Sequence, residues 1–126
     1  MPYKIMMSIV CIVPLIFSLA FVAIPEFFVL EWYPSAEGLA LEIAITHRYD
    51  MAGMLFMVVC FAFLSRNVEG VDNQKAILLG AAIAFSAMCA VIISMPVFRS
   101  IPLSIPPMIA TGTLAALSFW SRSKLS

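Results

Sequence analysis

The chain has 126 residues, of which 63% are apolar and 11% charged, with seven acids against seven bases and a mean hydropathy of +1.08. A soluble domain is usually about half apolar and about a quarter charged, so this composition excludes a soluble enzyme. It also excludes a disordered chain, which needs high charge and low hydrophobicity, and a nucleic-acid binder, which needs a basic patch.

A membrane-spanning helix takes roughly 20 residues, and the apolar content is enough for four. The first apolar run is Ile5 to Ile24, uncharged throughout, preceded by Lys4 and closed by Pro25-Glu26. It reads as a transmembrane helix, with Pro14 placed to kink it. The rival reading is a signal peptide, with Lys4 as its basic start and Ser18-Leu19-Ala20 as its cleavage site. The run is long for the apolar part of such a peptide.

Residues 25–38 form a connector with three acids, no base and the pair Trp32-Tyr33. Aromatic residues of this kind favour the headgroup zone, and Phe27, Phe28 and Leu30 suggest a segment lying on the membrane surface. Ser35 is placed to cap the next helix, which runs from about 36 to 64 with its span at about 43–64. Its continuous apolar stretch is Met51 to Leu64.

A polar link, Ser65 to Lys75, leads to a third span at about 76–95, closed by Pro96. Two ladders of small residues run along it, Ala76/Gly80/Ala84 and Ala82/Ser86/Ala90/Ser94. Small residues four apart let helices approach closely in lipid, so Gly80, Ala82, Ala84, Ser86 and Ala90 are the expected helix-packing positions. Residues 96–107 carry four prolines and read as an extended connector, with Ser104 near a cap and Pro106-Pro107 in the first turn of the last helix. That helix ends near Trp120, giving a span at about 105–120.

The expected fold class is therefore all-α: one integral membrane domain over residues 1–126, a four-transmembrane-helix bundle with a surface-lying connector between helices 1 and 2. Lys4, Arg66, Lys75, Arg122 and Lys124 fall on one side and Arg99 alone in a loop on the other. The positive-inside rule places both termini in the cytoplasm and the protein in the cytoplasmic (inner) membrane.

Three cysteines, Cys11, Cys60 and Cys89, lie one per span. Such a set is neither a disulfide framework nor a redox pair; they read as small packing residues. A single histidine, His47, excludes a two-histidine metal or haem site within one chain. The Met51/Met54/Met57 row reads as helix packing. No cofactor is implied, and no nucleophile or phosphate-loop motif is present.

Chemistry could gather in one place, the run Glu42-(x3)-Thr46-His47-Arg48-Tyr49-Asp50-(x2)-Gly53. At 100° per residue, Glu42, Thr46, Tyr49, Asp50 and Gly53 share one side, and Arg48 points nearly opposite Asp50. An inward Arg48 would need an acid from elsewhere, and Glu26 and Glu31 are at the right level. Glu42, His47, Arg48, Tyr49 and Asp50 are the ligand-binding candidates: an interfacial anchor on one reading, a pocket for a lipid headgroup, quinone head or proton on the other.

The uncharged first span, Pro25-Glu26-Phe27-Phe28, the loop, and the second span led by Arg48 with Gly53 resemble the small four-helix bacterial membrane proteins called DoxX-like. The resemblance covers most of the chain at the level of size and hydropathy. Here Tyr49-Asp50-Met51-Ala52 separate the arginine from the glycine, which in that group follow one another closely. Some of those proteins are membrane subunits beside a catalytic partner in quinone-dependent sulfur oxidation; the resemblance supplies no site residues.

Three functions follow, in this order. The first is a non-enzymatic subunit or helix-packing partner in a membrane complex. The second is an oligomeric binder or transporter of a lipid, quinone or small solute. The third is an enzyme acting on a lipid or quinone, with only His47, Arg48 and Asp50 as polar tools. The expected partners are the lipid bilayer and a protein partner or second copy, with a lipid or quinone as ligand.

Overall fold

The computed structural model describes residues 2–126, and among these it is all-helical, with no strand. Five helices follow in order: α1 (Tyr3–Ala23), α2 (Pro25–Trp32), α3 (Gly38–Ser65), α4 (Val71–Arg99) and α5 (Ile105–Ser123). Three of them, α1, α3 and α4, are long and apolar enough to cross a membrane. In α5 the apolar run is diluted by Thr111, Thr113 and Ser118 and by the prolines of its first turn.

Proline and glycine set most boundaries. Pro25 restrains the residue before it, and Ile24 leaves the helical region at φ −137°, ψ 54°. α2 therefore starts as a separate helix, with Pro25 in its first turn. The connector 25–38 thus contains a true helix, anchored by the fully buried Val29. Ser35 does not cap α3; Glu37 occupies that position and Gly38 follows at φ +54°. Gly70 precedes α4 at φ +88°, a conformation that a side chain would strain.

The proline-rich connector is shorter than its composition suggests. Pro96 lies inside α4, which continues to Arg99 and ends at Ser100 in the left-handed region. One missing N–H near a helix end costs a single bond, and the turn survives it. Only residues 100–104 are non-helical, because Ile105 to Pro107 already belong to α5. The third span likewise starts at Val71, five residues before the expected Ala76.

The helices pack as two antiparallel pairs, α1 with α3 and α4 with α5, and the pairs meet chiefly through α1 and α5. Side-chain bonds to backbone carbonyls set the register of the first pair. Tyr3 Oη donates to the Ser65 carbonyl at 2.8 Å, Ser18 Oγ to that of Ala52 at 2.8 Å, and Cys11 Sγ to that of Val59 at 3.7 Å. In the second pair Cys89 Sγ donates to the Met108 carbonyl at 3.7 Å. The three cysteines form no disulfide with one another: Cys11 and Cys89 are packed between helices and Cys60 is exposed.

Tyr3, Met6, Met7, Val10, Ala62, Leu78 and Leu114 form the core where the chain termini and the α3–α4 link lie; this is the terminal end. The α2 end is opposite. Outward from the core the surface is apolar too, with Ile12, Ile16, Leu19, Phe61, Leu64 and Ile83 all exposed, the arrangement that lipid favours and water does not.

A Cβ built on Gly112 would lie 3.6 Å from Cys89 Sγ, an ordinary contact. Gly112→Ala is therefore expected to fold normally, while Gly112→Leu is expected to force α5 off α4 and cost about 1–3 kcal/mol. Denaturant titration in detergent micelles measures both.

Candidate functional site

α3 and α4 are consecutive, yet they stay apart along most of their length. Between them opens a cleft of about 550 Å³, with α1 and α5 behind it. Its lining on α3 extends from Arg48 to Ser65, roughly 25 Å at the helical rise per residue. The cleft is therefore long. Pro14 and Phe17 of α1, Leu55 and Val58 of α3, Gly80, Ala84 and Met88 of α4, and Leu114 of α5 make its walls apolar. It is open along one side.

Arg48 is the only charged residue of the lining. It lies at the α2 end, and only 6% of its surface is exposed. Its Nη2 donates to the Phe28 carbonyl at 3.1 Å, and its Nη1 to Met51 Sδ at 3.4 Å. The guanidinium carbon lies 4.9 Å from the centre of the Trp32 ring and 5.5 Å from that of Phe21. Phe21 in turn meets Phe28 edge-on, with centroids 4.8 Å apart. An arginine has five N–H donors, and these contacts use two of them. A second niche of about 20 Å³ touches Arg48 beside Phe28, Ser104 and Pro107, room for about one water.

No carboxylate lies within ion-pair distance of Arg48 among the described residues. Neither Glu26 nor Glu31 pairs with it, contrary to expectation. Glu31 is close enough for its charge to be felt, but its Oε1 accepts a bond from Ser104 Oγ at 3.3 Å. That bond ties α2 to the start of α5.

The other candidates do not gather around Arg48. Glu42, His47, Tyr49 and Asp50 are all exposed, and none of them lines the cleft. His47 Nδ1 and Asp50 Oδ2 are 4.0 Å apart, with side chains 74% and 67% exposed. An exposed pair of this kind contributes little, so His47→Ala and Asp50→Ala are each expected to change stability by less than about 0.5 kcal/mol. Thermal unfolding of the detergent-solubilised variants is the check.

Among the small residues, Ala82 is fully buried, and Gly80 and Ala84 border the cleft. Nothing lies within 4 Å of a Cβ built on Gly80. Ser86 and Ala90 are exposed. Met51 and Met54 line the cleft and Met57 is exposed, so the methionine row is not a packing seam within the chain.

Sequence reasoning missed the aromatic half of the site. Trp32 carried an interfacial signal, but nothing in the pattern marked Phe21, the Phe28 carbonyl or Ser104. No family model, no curated protein and no solved structure matches the chain. The DoxX-like resemblance accordingly rests on layout.

Proposed function

We propose that the chain is an integral protein of the cytoplasmic membrane whose α3–α4 cleft binds one single-chain amphiphile, its polar head beside Arg48 and its chain running toward the terminal end. The observation that carries this reading is a long apolar cleft with one buried arginine at one end, unpaired with any acid of the described residues. In this reading α1, α3, α4 and α5 all span. α5 has 19 residues, about 28 Å of helix against a hydrocarbon core of about 30 Å. The excess of bases at Lys4, Arg66, Lys75, Arg122 and Lys124 supports cytoplasmic termini.

Size supports a chain as occupant. An extended acyl chain suits the length and the apolar walls of the cleft. Binding slots commonly measure about 300–1,000 Å³ and are mostly apolar with a few polar groups.

A second reading, a subunit of a larger complex, draws on the exposed stripe Ala76, Gly80 and Ala84 on α4. A partner helix on that stripe would ride over the mouth of the cleft. Native mass spectrometry from mild detergent separates the two readings. The amphiphile reading expects a chain carrying one ligand of single-acyl mass, released at higher collision energy. A stoichiometric second protein with no such ligand would favour the subunit reading.

A further inference from the structure

We propose that the amphiphile is an anion with a compact head, a long-chain carboxylate, recognised by the guanidinium of Arg48. This rests on the cleft reading and adds the head-group chemistry. Three observations carry it. Arg48 is nine-tenths buried and lines the cleft, yet no acid of the described chain pairs with it. A buried cation without a counter-charge is costly, and aromatic faces offset only part of that cost. A carboxylate from the membrane completes the site, because the planar fork of arginine matches its two oxygens.

The nearest acid is held elsewhere. Glu31 accepts a bond from Ser104 at 3.3 Å, which keeps it beyond ion-pair distance while leaving its charge in the neighbourhood. On this proposal Glu31 repels an anionic head and competes with it for Arg48. The bond from Ser104 is the tether that keeps Arg48 available. Phe21, Trp32 and Arg48 line this end of the cleft, so a head group there meets two aromatic rings and one cation.

The sign of each substitution follows. Glu31→Gln removes the repulsion and the competitor, so carboxylate affinity rises by a few-fold. Ser104→Ala frees Glu31 to swing to Arg48, so affinity falls, and the double variant with Glu31→Gln recovers it. Arg48→Gln removes the charged donor and loses at least about ten-fold. Arg48→Lys keeps the charge but not the fork, and falls between.

The experiment titrates palmitate and, separately, methyl palmitate into the full chain in mild detergent. It follows Trp32 fluorescence in a Trp120→Phe background. The expected result is saturable palmitate binding at least about ten-fold tighter than the ester, with Glu31→Gln tighter still. The gain in Glu31→Gln cannot come from misfolding, and the acid–ester comparison needs no variant at position 48. Equal binding of acid and ester, or no gain in Glu31→Gln, overturns the anionic head while leaving the cleft reading in place. Absence of saturable binding for either probe overturns both.

Discussion

Gly80→Phe is expected to abolish chain binding without loss of stability. Gly80 lies in the cleft wall toward the terminal end, and nothing stands within 4 Å of the position a Cβ would take. A side chain there starts from open space in the cleft wall, so a phenyl ring is expected to take up room that a bound chain needs. Glycine is also about 0.5–1 kcal/mol less favourable than most residues inside a helix, so the folded protein loses nothing by the exchange. The predicted outcome is an unchanged or slightly raised unfolding midpoint, together with at least a ten-fold loss of single-chain ligand affinity, about 1.4 kcal/mol. Reduced affinity with reduced stability would mean that α4 had moved, and undiminished affinity would show that ligand does not pass Gly80.

Leu78→Ala is expected to produce the largest loss of stability. Leu78 is fully buried where α4 meets Met6, Met7, Ala62 and Leu114. These residues are part of the contact that joins the α1–α3 pair to the α4–α5 pair, while α3 and α4 stay apart. In lipid the alternative environment is as apolar as the core, so the cost is lost packing rather than exposure to water. A cavity of this kind costs about 2 kcal/mol. Because the site lies at the terminal end, the loss also lets the cleft widen. Ile83→Ala, on the exposed side of α4, is the matched control and is expected to be close to neutral. Denaturation of both variants in the same detergent gives the comparison.

Much of the architecture was readable from local chemistry. Pro25 and Gly70 mark real breaks, and Pro106 does sit in the first turn of a helix. Pro96 misled, because its effect depends on how much helix remains beyond it: one turn remains, and one turn tolerates the missing bond. Ser35 misled as a cap because the chain turns at Gly38, two residues after the helix was expected to start.

The site was legible in one respect. Helical geometry set Arg48 opposite Asp50, and the structure has Arg48 buried and Asp50 exposed. Its surroundings were not legible. The Phe28 carbonyl carries no sequence signal as an acceptor. That Glu31 would bond Ser104, 73 residues away, instead of Arg48 depends on how α2 packs. The cleft itself arises from the separation of two consecutive helices, and no periodicity within either helix records that.

The central claim is that a single chain lies in the cleft with its head toward α2. Quenching of Trp32 by brominated single-chain carboxylates tests it most directly. With Trp120→Phe, Trp32 is the sole tryptophan, and it borders the cleft at the Arg48 end. Bromine near the carboxylate is predicted to quench it strongly and saturably, and bromine at the far end of the chain to quench it weakly. Equal quenching by both isomers, rising without saturation as probe is added, would mean that Trp32 sees only bulk amphiphile and would contradict the account.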